Sequence, residues 1–235
     1  MTPIAIHEKA VQNTFYNIQR EGIKSIAVTS ARRDEGVSAF SYALARRAAA
    51  AGIKVLLIDL NFMNPQQSQA LALEHYDWNP AAAIEQTKIQ NISNTNLAIL
   101  SAPEKVKDTW PFQNRDQITK MLNQLGKKYD LVIADMPSIL EPQNDIQVEI
   151  TCAAFDAAIL MVLSGRAIET EMTQLKTIMD EAEVNIIGVI MNDQFAPTLV
   201  QEIKRQLDKA SKYAPRIVNF LKRKVNDSAF LNQSL

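Results

Sequence analysis

The side chains able to do chemistry stand where apolar runs end. Thr29-Ser30-Ala31-Arg32-Arg33-Asp34-Glu35-Gly36-Val37-Ser38-Ala39 follows the first such run and opens a helical stretch. Leu57-Ile58-Asp59 closes the second, and Ile133-Ala134-Asp135-Met136-Pro137-Ser138 follows a later one. The last run ends in Met191-Asn192-Asp193. In open α/β folds ligands bind outside the carboxyl ends of the strands, so these strand-end residues are the candidate ligand contacts. Each also has a plain structural reading. Asp59 and Asp135 suit carboxylates that cap loops, and Asn-Asp after a strand is ordinary turn chemistry. His7 and His75 have no second nitrogen or thiolate at ligand spacing, so no metal site is built on them. Cys152, the one cysteine, reads as a small buried hydrophobe, and it permits no intrachain disulfide.

The elements that position these residues alternate between strands and helices. Continuous apolar or β-branched runs occupy 24–30, 53–59, 129–135, 156–163 and 184–192, with a sixth at 96–101. Runs without alternation are buried on both faces, the habit of a parallel sheet covered by helices. Helical stretches lie at 37–51, ending near Gly52, and at 168–183. The first 20 residues read as a helix that precedes the sheet. The Gln- and Asn-rich segment 61–96 carries short helical stretches at 65–73 and 80–86. The expected architecture is a doubly wound α/β fold, with a mostly parallel sheet flanked by helices. It forms one domain over 1–235, with an N-terminal helix in 1–22 and a C-terminal helix or tail in 215–235.

Composition narrows the function classes. The chain has 235 residues, 47% hydrophobic and 22% charged, the balance of a folded globular protein. Its formal charge of −1 gives no global argument for nucleic-acid binding. No apolar run reaches the ~18 residues needed to span a bilayer, and no secretion signal is visible. Glycine is scarce: six residues, where average usage would give about sixteen.

The strand-end motifs resemble those of the deviant P-loop ATPases of the ParA/MinD class. They are most similar to the cytoplasmic domain of bacterial tyrosine kinases (BY-kinases) of capsule and exopolysaccharide systems, over about residues 5–195. In that family the first loop reads T-S-x-x-P-G-E-G-K-S-T, the second strand L-L-I-D-x-D-x-x-x-P, the third Y-D-x-V-I-I-D-x-P-P, and a late strand G-V-V-L-N. Leu57-Ile58-Asp59 with Pro65, Tyr129 to Pro137, and Gly188 to Asn192 keep the last three. The resemblance implies a P-loop NTPase-like fold. It makes Asp59 and Asp135 the catalytic carboxylates, and Ser38 with both of them the Mg2+ ligands when nucleotide binds. Asn192 falls near the base, and Arg32, Arg33, Gly36, Val37 and Ser38 line the phosphate loop.

The first loop departs from the family pattern. A phosphate loop wraps successive backbone N–H groups around phosphate oxygens and adds a lysine charge, and its glycines permit the close approach. Here Arg33 and Asp34 stand for the Pro-Gly pair, and Val37 stands for the lysine. Glu35 is no departure. Arg32 or Arg33 turned inward would restore the charge. The second aspartate of the second motif is Asn61, no tyrosine lies in the last 22 residues, and Glu8, Val11 and Thr14 stand where the E-x-x-R-x-x-R of family assembly is expected.

These losses together imply a non-catalytic regulator or scaffold of exopolysaccharide or capsule biosynthesis or export, needing no cofactor. The alternatives are an ATPase or tyrosine autokinase using Mg-ATP through an unusual loop, and a MinD/ParA-like adaptor recruited to a membrane or pole. The implied partner is a membrane polysaccharide co-polymerase or an active kinase of the same system, with a homo-oligomer as a further option. The implied location is cytoplasmic or peripheral to the inner membrane face. Ile217, Val218, Phe220, Leu221 and Val225 share one helical arc, which fits a last helix packed on the sheet better than a membrane-lying one.

Overall fold

The computed structural model describes residues 8–193 apart from 63, 66, 68–70, 82–87, 104–108, 142–145 and 166–167. The expected amphipathic segment at 215–235 and most of the short helices expected at 65–73 and 80–86 lie outside the described residues. The chain divides into two compact units, Met1–Val162 with Ala167–Asn192, and Leu163–Arg166 with Asp193–Leu235. The site lies in the first.

The elements, in chain order, are α1 (Lys9–Glu21), β1 (Ser25–Ser30), α2 (Val37–Ala50), β2 (Val55–Asp59), β3 (Gln90–Asn91), β4 (Leu97–Leu100), α3 (Trp110–Gln113), α4 (Arg115–Leu125), β5 (Leu131–Asp135), α5 (Val148–Cys152), β6 (Ala157–Leu163), α6 (Glu169–Glu181) and β7 (Ile186–Asn192). The sheet runs β3-β4-β2-β5-β1-β6-β7. β1 pairs in parallel with β5 and β6, and β2 with β4 and β5. The two-residue β3 pairs antiparallel with β4, Gln90 opposite Ile99. This is the mostly parallel, helix-flanked sheet that the apolar runs predict.

Each continuous run feeds two cores because successive side chains leave opposite faces of a strand. In β2, Val55 and Leu57 enter one core with Ile26, Val28 and Ile133. Leu56 and Ile58 enter the other with Ala27, Val132 and Ala134. α1 and α2 cover the first face through Val11, Phe15, Ile18, Phe40 and Leu44. Phe112, Ile118, Leu125, Val148, Leu175 and Met179 cover the second from α3, α4, α5 and α6.

α1 stops where Gly22 takes a left-handed φ of 67° and Ile23 N–H reaches back to the Ile18 carbonyl. Val11 and Thr14, at the positions where assembly arginines were sought, are buried.

α4 was not anticipated, although Ile118, Met121, Leu122 and Leu125 have helical spacing and are its buried positions. Its N-cap is Asn114, whose side chain accepts from Gln117 N–H at 3.1 Å. Trp78 belongs to the second core: it is buried there and donates its indole N–H to the Ser101 carbonyl at 2.8 Å. Cys152 is buried at the end of α5, and burial pushes its thiol far up, so it is no thiolate nucleophile. Among the described residues no helix is long and apolar enough to cross a membrane.

Candidate functional site

Parallel pairing brings the strand-end residues to one rim. Asp59 closes β2 and Asp135 closes β5, and the two are register partners. Both are fully buried. β1 delivers the loop 31–36 to the same end, and α2 starts from it, with Phe40 N–H bonded to the Gly36 carbonyl at 3.0 Å.

The loop is held by its own side chains. Ser30 Oγ donates to the Arg32 carbonyl at 2.7 Å. The Glu35 carboxylate turns back under the loop and accepts from the N–H groups of Ala31 at 3.1 Å and Arg32 at 3.3 Å. Glu35 is itself buried. Asp34 has a φ of 64° and Gly36 one of 97°, so a non-glycine residue carries one of the loop's two left-handed positions.

Asn192, at the end of β7, donates from Nδ2 to the Glu35 carbonyl at 3.0 Å. It therefore stands directly over the loop. A Cβ at Gly36 would lie 2.5 Å from Asn192 Nδ2. Gly36→Ala is expected to cost about 1–3 kcal/mol of stability, from left-handed strain and displacement of that amide. Urea unfolding of Gly36→Ala, alone and with Asn192→Ala, checks this. The double variant should recover the clash and keep the φ cost, and an unchanged single variant would contradict the account.

The two arginines point away from the loop interior. Arg32 bonds Glu171 of α6 through Nη2 at 2.8 Å and Nε at 3.3 Å, and the Leu140 carbonyl through Nη1 at 3.2 Å. Its hydrogen bond and charge contact with Glu171 raise the guanidinium pKa further. Arg33 Nε faces the Glu141 carboxylate at 3.5 Å. Val37 is partly buried and packs on the core shared by α1 and α2.

The acid end contains a residue that motif spacing did not single out. Gln67 is buried, and its Nε2 donates to the Ser38 carbonyl at 2.7 Å and to Asp135 Oδ2 at 2.8 Å. Its backbone N–H reaches Asp59 Oδ2 at 3.3 Å, while Asn61 N–H serves Asp59 Oδ1 at 3.1 Å. Asp135 Oδ1 and Gln67 Oε1 are buried without a hydrogen-bond partner. Burial pushes the Asp135 carboxyl up to about 6, against the opposing pull of hydrogen bonds from Gln67 and Ser38. Gln67 falls in the Gln- and Asn-rich segment, within the short helical stretch expected at 65–73, and no motif spacing tied it to the two acids.

Ser38, Asp59 and Asp135 thus converge, and oxygen donors of this kind suit a hard divalent cation. The unpartnered Asp135 Oδ1 is where such an ion would be accepted. Among the described residues no cluster of three or more His, Cys, Asp or Glu side chains could hold a metal. Mg2+ here would need phosphate oxygens as further ligands.

No family model matches the chain. Its curated relatives are bacterial tyrosine-protein kinases. The tyrosine-protein kinase YwqD of Bacillus subtilis is 25% identical over 182 residues, covering 76% of this chain and 75% of that protein. The tyrosine-protein kinase CpsD of Streptococcus agalactiae is 27% identical over 188 residues, covering 75% and 79%. Among solved structures, the chimerical protein CapA2B2 matches with a TM-score of 0.67 at 19% identity, over 80% of this chain and 88% of that one. The septum site-determining protein MinD of Pyrococcus horikoshii, solved with Mg-ADP, matches with a TM-score of 0.59 at 18% identity, over 73% and 71%. The chain therefore resembles bacterial tyrosine kinases in sequence, and its fold is that of the P-loop NTPases of ParA/MinD type.

Proposed function

We propose that this chain is a kinase-like protein that does not transfer phosphate, and that it acts as a regulator or scaffold in exopolysaccharide or capsule biosynthesis or export. One observation carries the reading. Val37 stands where the family carries its phosphate lysine, and neither loop arginine turns inward to replace that charge, Arg32 pairing with Glu171 and Arg33 with Glu141. An incoming triphosphate would find neither arginine of the loop aimed at it. It would also lack the lysine contact, whose loss costs ~1.5–3 kcal/mol on the scale of charged hydrogen bonds. The acid end fits a divalent ion and the loop end does not fit the phosphates that would complete its coordination.

The kinase-like fold supports the choice of partner: the cytoplasmic face of a membrane polysaccharide co-polymerase, or an active kinase of the same system. The chain would then work at the inner face of the membrane without spanning it. A second reading, an ATPase or autokinase with an unusual loop, draws on the two buried acids, because two carboxylates held out of water are costly unless something uses them.

Calorimetry with Mg-ATP and Mg-ADP tests the proposal on the natural chain and on the Asp34→Gly, Val37→Lys variant. The natural chain is expected to give no heat up to millimolar nucleotide, and the repaired one to bind. Micromolar binding by the natural chain, or added phosphate in its intact mass after hours with Mg-ATP, would overturn the non-catalytic reading.

A further inference from the structure

The two ends of the site are occupied in a complementary way. At the loop end, where an anion belongs, the chain supplies a carboxylate: Glu35 accepts from Ala31 and Arg32 N–H. At the acid end, where a cation belongs, it supplies the positive end of an amide dipole: Gln67 Nε2 lies between Asp135 Oδ2 and the Ser38 carbonyl, and Gln67 N–H faces Asp59. We infer that the site is self-liganded, with Glu35 standing in for the phosphate and Gln67 for the metal ion at Asp135 Oδ2.

The physical case rests on what these groups would otherwise lack. Two buried carboxylates in register on neighbouring strands need donors or a cation. The loop's turned-in N–H groups need an acceptor. A polar network in a buried place is stable only when its members are satisfied, and here most are satisfied from within the chain. The surrounding contacts hold the loop shut over this arrangement. Asn192 grips the Glu35 carbonyl from β7, and Arg32 and Arg33 tie the loop to Glu171 and Glu141. Gln67 is the residue that competes with a cation, because an ion that joined Asp135 Oδ2 to Asp59 would have to displace its amide from the first and its backbone N–H from Oδ2 of the second. Its Oε1 has no hydrogen-bond partner, so the amide is oriented by its NH2 end alone, as a group chosen for its positive pole would be.

The inference deepens the non-catalytic reading. Its test uses Mg2+ alone and inorganic phosphate alone, so a nucleotide titration that overturned that reading would leave these results to be decided separately. The measurement is thermal unfolding of the full chain in EDTA, in millimolar Mg2+ and in millimolar inorganic phosphate. The natural chain is expected to unfold at the same temperature in all three. Gln67→Glu places a third carboxylate among the acids and should unfold earlier in EDTA, then gain about 2 °C or more with Mg2+ as the bound ion stabilises the folded state. Gln67→Ala should unfold earlier than the natural chain in EDTA, and Glu35→Ala should gain stability from phosphate. The inference is overturned if Mg2+ raises the natural chain as much as Gln67→Glu, or if Gln67→Ala is as stable as the natural chain. Should Gln67→Glu not fold in EDTA, folding restored by Mg2+ supports the inference, and failure to fold with Mg2+ overturns it.

Discussion

At pH 7.5 in EDTA, Asp135→Asn is expected to unfold at a higher temperature than the natural chain, and near pH 4 that advantage should vanish. The Asp135 carboxyl sits at about 6, above its ordinary 3.8, because burial disfavours its charge. Between those values the folded chain binds more protons than the unfolded one, so stability falls as pH rises through the interval. Above it the full penalty is in place, on the order of 3 kcal/mol for a shift of this size. Below it both states are neutral at this position and the penalty is gone.

Asparagine removes the charge and keeps an oxygen to accept from Gln67 Nε2, and its amide N–H2 replaces an oxygen that has no partner. Paired melts at the two pH values decide the matter. A variant less stable than the natural chain at pH 7.5 would mean that the ionised carboxylate is well compensated, and that the account of the acid end is wrong.

Phe112→Ala is expected to cost about 3–5 kcal/mol, the range for emptying a buried aromatic site. Phe112 is 1% exposed. Its ring meets Phe62 edge-on at 4.8 Å and Trp78 at 5.3 Å, pairs worth roughly 0.5–1.5 kcal/mol each beyond burial. Its carbonyl also accepts from Thr151 Oγ1 at 2.6 Å, which joins α3 to α5. α3 has four residues and cannot hold a helical turn without tertiary contacts, so Phe112, with the buried Pro111 beside it, holds it to the core. Urea unfolding gives the magnitude, and near-ultraviolet circular dichroism follows the environment of Trp78. A loss below ~1 kcal/mol with the Trp78 signal intact would show that the cluster is not cohesive, since large-to-small core changes rarely cost so little.

The architecture was readable from local sequence because it depends on local periodicity. A run such as Val55 to Ile58 buries both faces whatever lies beside it, and only a helix-covered parallel sheet offers that burial. The same logic placed Asp59 and Asp135 at strand ends, and parallel pairing then made them neighbours. α4 was as legible in principle, since its apolar spacing and its Asn114 cap are local. β3 was not: two residues, one intermediate and one exposed, carry no pattern, and their pairing follows from β4.

At the site, sequence established which groups reach the rim, and tertiary structure decided what they bond to. That Val37 brings no charge is a fact of residue type. That Arg32 and Arg33 do not replace the charge depends on Glu171 and Glu141, which lie 139 and 108 residues away along the chain. Gln67 belongs to the same class. A glutamine in a polar connection has many destinations, and only the tertiary structure brings its amide to Asp135 and its backbone N–H to Asp59. Periodicity fixes which way a side chain faces because that depends on the backbone beside it. Partners across the fold depend on how the strands are ordered, and no spacing within a single segment encodes that order.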